Sequence, residues 1–124
     1  PIEDYFKTSK WIEQVVVVGE KQNFMAALIV PDMEQLKSHA QAENLEFTDE
    51  DELIRKEEIK KLFKQEVRKL SKELASHEKI RDFRLVKDPF TVESGELTPT
   101  LKVKRRVVER KYEHVINEIY KDDK

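Results

Sequence analysis

The sequence predicts an α+β fold: a small sheet built from a β-hairpin and a third strand, covered by helices, with a long amphipathic C-terminal helix. Three observations carry that expectation. Two apolar runs rich in β-branched residues lie close together near the start, capped helical patterns follow them, and apolar residues at helical spacing occupy the last stretch. A chain of 124 residues removes roughly two thirds of its unfolded surface from water on folding, enough for one domain spanning 1–124 without disulfides or metals. With 38% hydrophobic and 40% charged residues, the apolar side chains must gather on particular faces.

Pro1 is followed by Ile2, Tyr5 and Phe6 at helical spacing, with Glu3 and Asp4 in the first turn where the helix dipole favours acids, so a short first helix is expected. Ile12–Val18 and Phe24–Val30 read as two largely buried strands joined through Gly19–Asn23. Pro31 should end the hairpin, and Asp32 with Gln35 three residues on marks a helix start running to about Asn44. Thr48 and Asp51 repeat that signature before a longer helix, along which Ile59, Leu62, Phe63, Val67, Leu70 and Leu74 form one stripe to pack on the sheet.

Ile80–Val86 reads as the third strand, with Phe83 and Leu85 on one face and Asp82 and Arg84 on the other. Ile80 and Val86 share the polar face, so the strand should be covered at both ends. Lys87–Thr100 has no sustained period beyond a short candidate strand at Phe90–Val92, and it holds the turn signals Asp88-Pro89, Ser94-Gly95 and Thr98-Pro99. An irregular stretch of this length inside a compact chain is more often functional than accidental. Helical spacing returns in Val103, Val107, Val108, Tyr112, Val115, Ile116, Ile119 and Tyr120, placing the last helix start near Lys102 and leaving a polar tail at Lys121–Lys124.

Lysine plus arginine (24) nearly balances aspartate plus glutamate (26), so no global field draws the chain to a polyanion such as nucleic acid, and anion binding must be local. The absence of cysteine removes thiolate chemistry and fits a reducing compartment; a cytoplasmic location is expected. The longest apolar run, Phe24–Val30, is far short of the ~20 residues of a membrane span, so any membrane association would be peripheral. No signal-peptide pattern opens the chain, and its start at Pro1 suggests that it begins inside a longer protein.

His39, His77 and His114 lie far apart without metal-ligand spacing, so no metal site is expected. Neither a nucleophile elbow nor a Gly-x-x-x-x-Gly-Lys loop is present, and a complete active site is not visible. What remains is Gly95–Arg106, centred on Lys102. A lysine on a loop entering a helix N-terminus can offer its ammonium to a phosphate or carboxylate. On chemistry alone an equal claim belongs to the plain alternative, in which Lys102, Lys104, Arg105 and Arg106 are a solvated basic helix start. A third reading, a nucleic-acid or nuclear-localisation patch, is weakened by the near-neutral charge and the scarcity of stacking aromatics. A non-catalytic interaction domain, its basic helix start binding a partner or an anionic membrane surface, stands as the competing functional class. The Arg55–Glu73 helix interleaves Glu57, Glu58, Glu66 and Glu73 with its basic residues and reads as a solvated face.

Three segments, Ile12–Glu20, Phe24–Asp32 and Gly95–Arg105 with its Leu-Thr-Pro-Thr-Leu-Lys core, together resemble the C-terminal domain of long-chain fatty acid CoA ligases of the adenylate-forming superfamily. The resemblance covers essentially the whole chain. It implies activation of a carboxylate by ATP to an acyl-adenylate and pyrophosphate, then exchange of AMP for the thiol of coenzyme A, with Mg2+ expected in the full-length enzyme. It also implies a large N-terminal domain holding most of the nucleotide and acyl sites, over which this smaller domain closes and reorients between the half-reactions. The motif lysine, which reaches the carboxylate and α-phosphate during adenylation, corresponds to Lys102, and Gly95, Glu96, Thr98 and Thr100 belong to the loop near substrate and nucleotide. Many relatives place a glycine directly before this lysine; here it is Leu101, which restricts the backbone there. The isolated domain is expected to be inactive, because the hinge and phosphate-binding loop implied by the resemblance precede Pro1.

Overall fold

A computed structural model of the chain describes residues 1–121. Beyond Lys121 the polar tail expected from the sequence lies outside the described residues. The first helix, α1 (Ile2–Phe6), leads into β1 (Ile12–Val18) and β2 (Met25–Pro31), which pair antiparallel. Pro31 is the last residue of β2, opposite Ile12, rather than the residue beyond it; a strand end is a position where its missing N–H costs no ladder bond. Then follow α2 (Met33–Ala42), α3 (Glu50–Arg55), α4 (Glu57–Ser71), a single 3₁₀ turn at Ser76–Glu78, and β3 (Ile80–Leu85). β3 adds parallel to β2, giving a mixed sheet in the order β1-β2-β3. The parallel pairing requires a crossover, and α2 to α4 supply it.

Both faces of the sheet are covered, which explains why β1 and β2 read as continuous apolar runs instead of alternating ones. On one face Val15, Val17, Ala27 and Ile29 join a core with Phe6, Leu36, Leu53, Ile59, Phe63 and Val67 from α1 to α4. On the other, Val16, Val18, Ala26, Leu28 and Val30 meet Phe90, Leu97, Val108, Ile119 and Tyr120. Phe83 and Leu85 pack against the first core, as their alternation predicts. Ile80, expected on the polar face, joins the first core as well, because the register shifts between Met25 and Ala26 beside it; Val86 is buried in the second.

The expected long middle helix is two helices. Lys56 is extended (φ −65°, ψ 140°), ending α3 and starting α4. At 3.6 residues per turn, an unbroken helix burying Ile59, Phe63, Val67 and Leu70 would turn Ile54 to its far side. The break rephases the chain so that Leu53 and Ile54 are also buried. The cap at its start is Asp49, whose carboxylate accepts from Glu52 N at 2.8 Å, while Glu52 accepts from Thr48 N at 3.0 Å. α2 starts as predicted, with Asp32 Oδ1 accepting from Gln35 N at 3.2 Å, but stops at Ala42, two residues early, and Asn44 turns left-handed (φ 57°).

The C-terminal helix starts at Arg105, three residues later than predicted, and forms α5 (Arg105–Lys111) and α6 (Glu113–Tyr120). Tyr112 departs from helical geometry, yet the ladder crosses it: Tyr112 N donates to Val108 O and Ile116 N to Tyr112 O, each at 2.9 Å. One apolar face is therefore kept along both segments. No strand forms at Phe90–Val92; the chain there is pinned by the Gln14 side chain, which accepts from Phe90 N at 2.7 Å and donates to Phe90 O at 2.9 Å.

Each outer edge of the sheet is blocked in the same way. At Val17 of β1 the N–H donates to Glu3 at 2.7 Å and the carbonyl accepts from Arg105. At Phe83 of β3 the N–H donates to Asp82 and the carbonyl accepts from Arg84, both at 2.8 Å. An acid on the donor and an arginine on the acceptor deny the edge to another strand.

Candidate functional site

The segment from Phe90 to Lys104 is a small projecting hairpin with a buried base and an exposed tip. At the base, Thr91 and Ser94 form a turn: Gly95 N donates to Val92 O at 3.0 Å, and the Thr91 and Ser94 hydroxyls bond each other at 2.8 Å. Gly95 takes φ 86°, a conformation side chains resist, although the space around it is open. Leu97, buried, forms an antiparallel bridge with Val103, and Lys104 N donates to Glu96 O at 2.7 Å.

At the tip, Thr98 N donates to Lys102 O at 2.8 Å and Lys102 N to the Thr98 hydroxyl at 3.0 Å, enclosing Pro99, Thr100 and Leu101. Thr98 and Thr100 hydroxyls lie 3.1 Å apart. The loop turns through Leu101 N to Thr98 O at 2.8 Å with Leu101 at φ 66°. Three-residue hairpin loops end on a left-handed residue, usually glycine. Leucine therefore follows the backbone path that glycine would favour, at a cost of about 1 to 2 kcal/mol, with its side chain 67% exposed.

Lys102 is exposed, and among the described residues its ammonium has no hydrogen bond or ion pair. It is carried by the hairpin tip rather than by a helix N-terminus. The basic cluster seen in the sequence is thereby divided. Arg105 turns back into the fold, bonding both Glu3 carboxylate oxygens at 3.1 and 3.2 Å along with the Val17 carbonyl. Lys102, Lys104 and Arg106 are exposed, and Arg105, exposed as well, has its charge paired with Glu3.

Of the loop residues singled out from the sequence, the structure brings Thr98, Thr100 and Lys102 together at the tip, whereas Gly95 and Glu96 lie at the base. Glu96 is fully buried. Its Oε1 accepts from the Ser94 hydroxyl and, at 3.4 Å, from Thr91 N. Its Oε2 lies 3.0 Å from Lys111 Nζ on α5 without an aligned hydrogen bond, so that contact is one of charge. The Glu96 carboxylate pushes the Lys111 ammonium above the ordinary lysine value of 10.5. Beside it, burial raises Tyr112, opposed by the Lys111 charge. Lys111, Gln14 and Glu3 are the participants that sequence reasoning missed. Each acts on a residue distant in sequence, and nothing in local pattern marks them. Among the described residues no three His, Asp or Glu side chains converge as a metal site requires. No helix of the described residues is long and apolar enough to cross a membrane.

The model of a family described as the AMP-binding enzyme C-terminal domain matches residues 1–124. The chain is 36% identical over 122 residues to long-chain-fatty-acid CoA ligase 1 of Cavia porcellus, covering 96% of this chain and 17% of that protein. It is 34% identical over 119 residues to a chloroplastic long-chain-fatty-acid acyl-carrier-protein ligase of Arabidopsis thaliana, covering 96% of this chain and 15% of that protein. The fold matches the adenylation domain of a carboxylate reductase from Mycobacterium chelonae with a TM-score of 0.75 and 28% identity, over 98% of this chain and 17% of that one. It also matches the A-PCP didomain of a carboxylic acid reductase from Segniliparus rugosus, in complex with AMP, with a TM-score of 0.71 and 26% identity over 96% and 15%. The chain thus spans about a sixth of the length of these relatives.

Proposed function

Because this chain belongs to the AMP-binding enzyme C-terminal domain family, the C-terminal domain of adenylate-forming enzymes, we propose that it serves an AMP-forming long-chain fatty acid CoA ligase and that Lys102 is its adenylation lysine. The observation that carries the reading is the Lys102 ammonium, exposed and without a partner among the described residues, on a tip whose backbone is fixed on both sides by Thr98. An N-terminal domain of the same protein binds ATP and the fatty acid, and closure over it brings the tip to the carboxylate and α-phosphate. There a fixed cation offsets the repulsion between carboxylate and triphosphate, and it opposes the negative charge that develops as the carboxylate oxygen attacks phosphorus and pyrophosphate leaves. The Thr98 and Thr100 hydroxyls stand beside it as donors to phosphate oxygen. Once the acyl-adenylate has formed, the domain reorients and the acceptor thiol displaces AMP.

Lys102→Ala in the full-length protein should slow pyrophosphate exchange with ATP and a fatty acid by ~10² to 10³, while conversion of preformed acyl-adenylate to thioester survives. Unchanged exchange would overturn the assignment. The acceptor is read as coenzyme A; an acyl carrier protein is the second reading, because the relatives include a ligase named for each. Supplying the two thiols in parallel separates them. The isolated domain should fold and show no ATP turnover.

A further inference from the structure

Among the described residues Glu96 is the fully buried acid, and a buried carboxylate is retained at considerable cost unless its charge is compensated. We infer that Glu96 and Lys111 form a latch that holds the Lys102 hairpin against α5, making both positioning residues for adenylation. The inference rests on the reading of Lys102 above.

The geometry has three parts. Glu96 begins the hairpin strand, and its carbonyl accepts from Lys104 N at 2.7 Å, so its backbone is part of the ladder that ends at Lys102. Its side chain turns inward, with one oxygen closing the Thr91–Ser94 turn and the other facing Lys111, 3.0 Å away. Lys111 occupies the last turn of α5, whose neighbouring Val108 and Tyr112 are packed on the sheet. The latch therefore joins the hairpin base to a helix fixed in the second core. The hairpin's other apolar anchors are Phe90 at its start, Leu97 and the partly buried Val103. Without the charge pair the base can shift on α5, and the tip with Lys102, six residues beyond Glu96, moves with it. Misplacement of a catalytic group by about 1 Å costs up to ~10² in rate. The remaining half-reaction does not use Lys102 and is insulated from that shift.

The experiment uses the full-length protein. Glu96→Gln keeps the shape and the oxygen facing Thr91 and Ser94 but removes the charge; Lys111→Met removes its partner, and Lys111→Arg restores the charge. Glu96→Gln and Lys111→Met should each lower kcat for pyrophosphate exchange about tenfold to a hundredfold with little change in KM, and leave thioester formation from acyl-adenylate intact. Lys111→Arg should recover most of the loss. Added to Lys102→Ala, Glu96→Gln should produce no further loss in single-turnover adenylation, because its effect passes through the lysine. Independently of activity, amide exchange at Thr98, Lys102 and Lys104 should accelerate in Glu96→Gln while the β1 and β2 amides do not change.

The latch is overturned if hairpin exchange is unaltered. It is equally overturned if both half-reactions fall together, or if the Glu96→Gln loss multiplies with that of Lys102→Ala, since each would mark a merely structural residue. If Lys102→Ala leaves adenylation intact while the exchange pattern still changes, the functional reading of Lys102 has failed and the latch stands as a structural device alone.

Discussion

The two hairpins of this chain are built on opposite terms. β1–β2 is buried on both faces, its strands feed two cores, and its turn is clamped: a Cβ on Gly19 would overlap the Tyr120 hydroxyl and lie 2.8 Å from the Phe24 carbonyl oxygen that this hydroxyl binds. The Thr91–Lys104 hairpin has one bridge, a turn at Gly95 with open space around it, and an exposed tip. Apolar packing holds the first, whereas the second combines the apolar anchors Phe90, Leu97 and Val103 with polar ones at its base. The difference teaches that a projecting segment can be fastened by directional contacts at its base while its tip leaves one side chain, Lys102, exposed without a hydrogen bond or ion pair among the described residues.

That division can be broken most forcefully at Leu28, fully buried in the second core. Leu28→Ala should destabilise the protein by about 2 to 5 kcal/mol, seen as a lower urea midpoint, with the exchange rate per folded molecule unchanged. A comparable loss of rate in the folded fraction would erase the distinction between the hairpins. Gly19→Ala follows, combining positive φ (95°) with the Tyr120 overlap; about 2 to 4 kcal/mol of stability should be lost, again with little kinetic effect. Gly95→Ala meets nothing within 4 Å and should cost only about 1 kcal/mol of backbone strain. Its larger effect should be on pyrophosphate exchange. Equal destabilisation by the two glycine variants would contradict the contrast between a clamped turn and an open one.

Leu101→Gly relieves the left-handed strain at φ 66° but loosens the unfolded chain, so stability should change by less than about 1 kcal/mol. Exchange kinetics would then report how much the stiffness of leucine contributes to placing Lys102. The smallest effect is the pH dependence of the base. Lys111 is raised by its contact with Glu96, so the pair's contribution is complete below the ordinary value of 10.5 and fades as pH climbs through the raised one. Tyr112, raised by burial, acts with the same sign. Urea midpoints compared with Lys111→Met should show a gap that is constant from neutral pH upward until it closes in strong alkali.

Much of the fold was legible because its signals are local. β-branched runs marked β1 and β2, the Asp32–Gln35 cap marked α2, and alternation set the faces of Phe83 and Leu85. The break at Lys56 escaped a reading that treated the capping signature and the stripe from Ile59 as one helix, although Leu53 and Ile54 lie out of phase with that stripe. At the site, turn residues and the lysine at the loop's end singled out Gly95–Arg105, but its basic residues could not be sorted. Arg105 differs from Lys102 only in having Glu3 and the Val17 carbonyl within reach, and Glu96 looks like any surface acid until Lys111 and the Thr91 turn close around it.

By itself the sequence determined the three strands, most of the helices to within a few residues, and that a lysine stands at the end of an irregular loop; all of these follow from propensity and periodicity over short spans. Only the tertiary structure decided that β3 runs parallel to β2, that both sheet edges are blocked by an acid and an arginine, and which charge is exposed and which is spent on the fold. Those choices depend on contacts between residues far apart in the chain. A side chain's charge becomes free or paired according to the neighbours that folding brings to it.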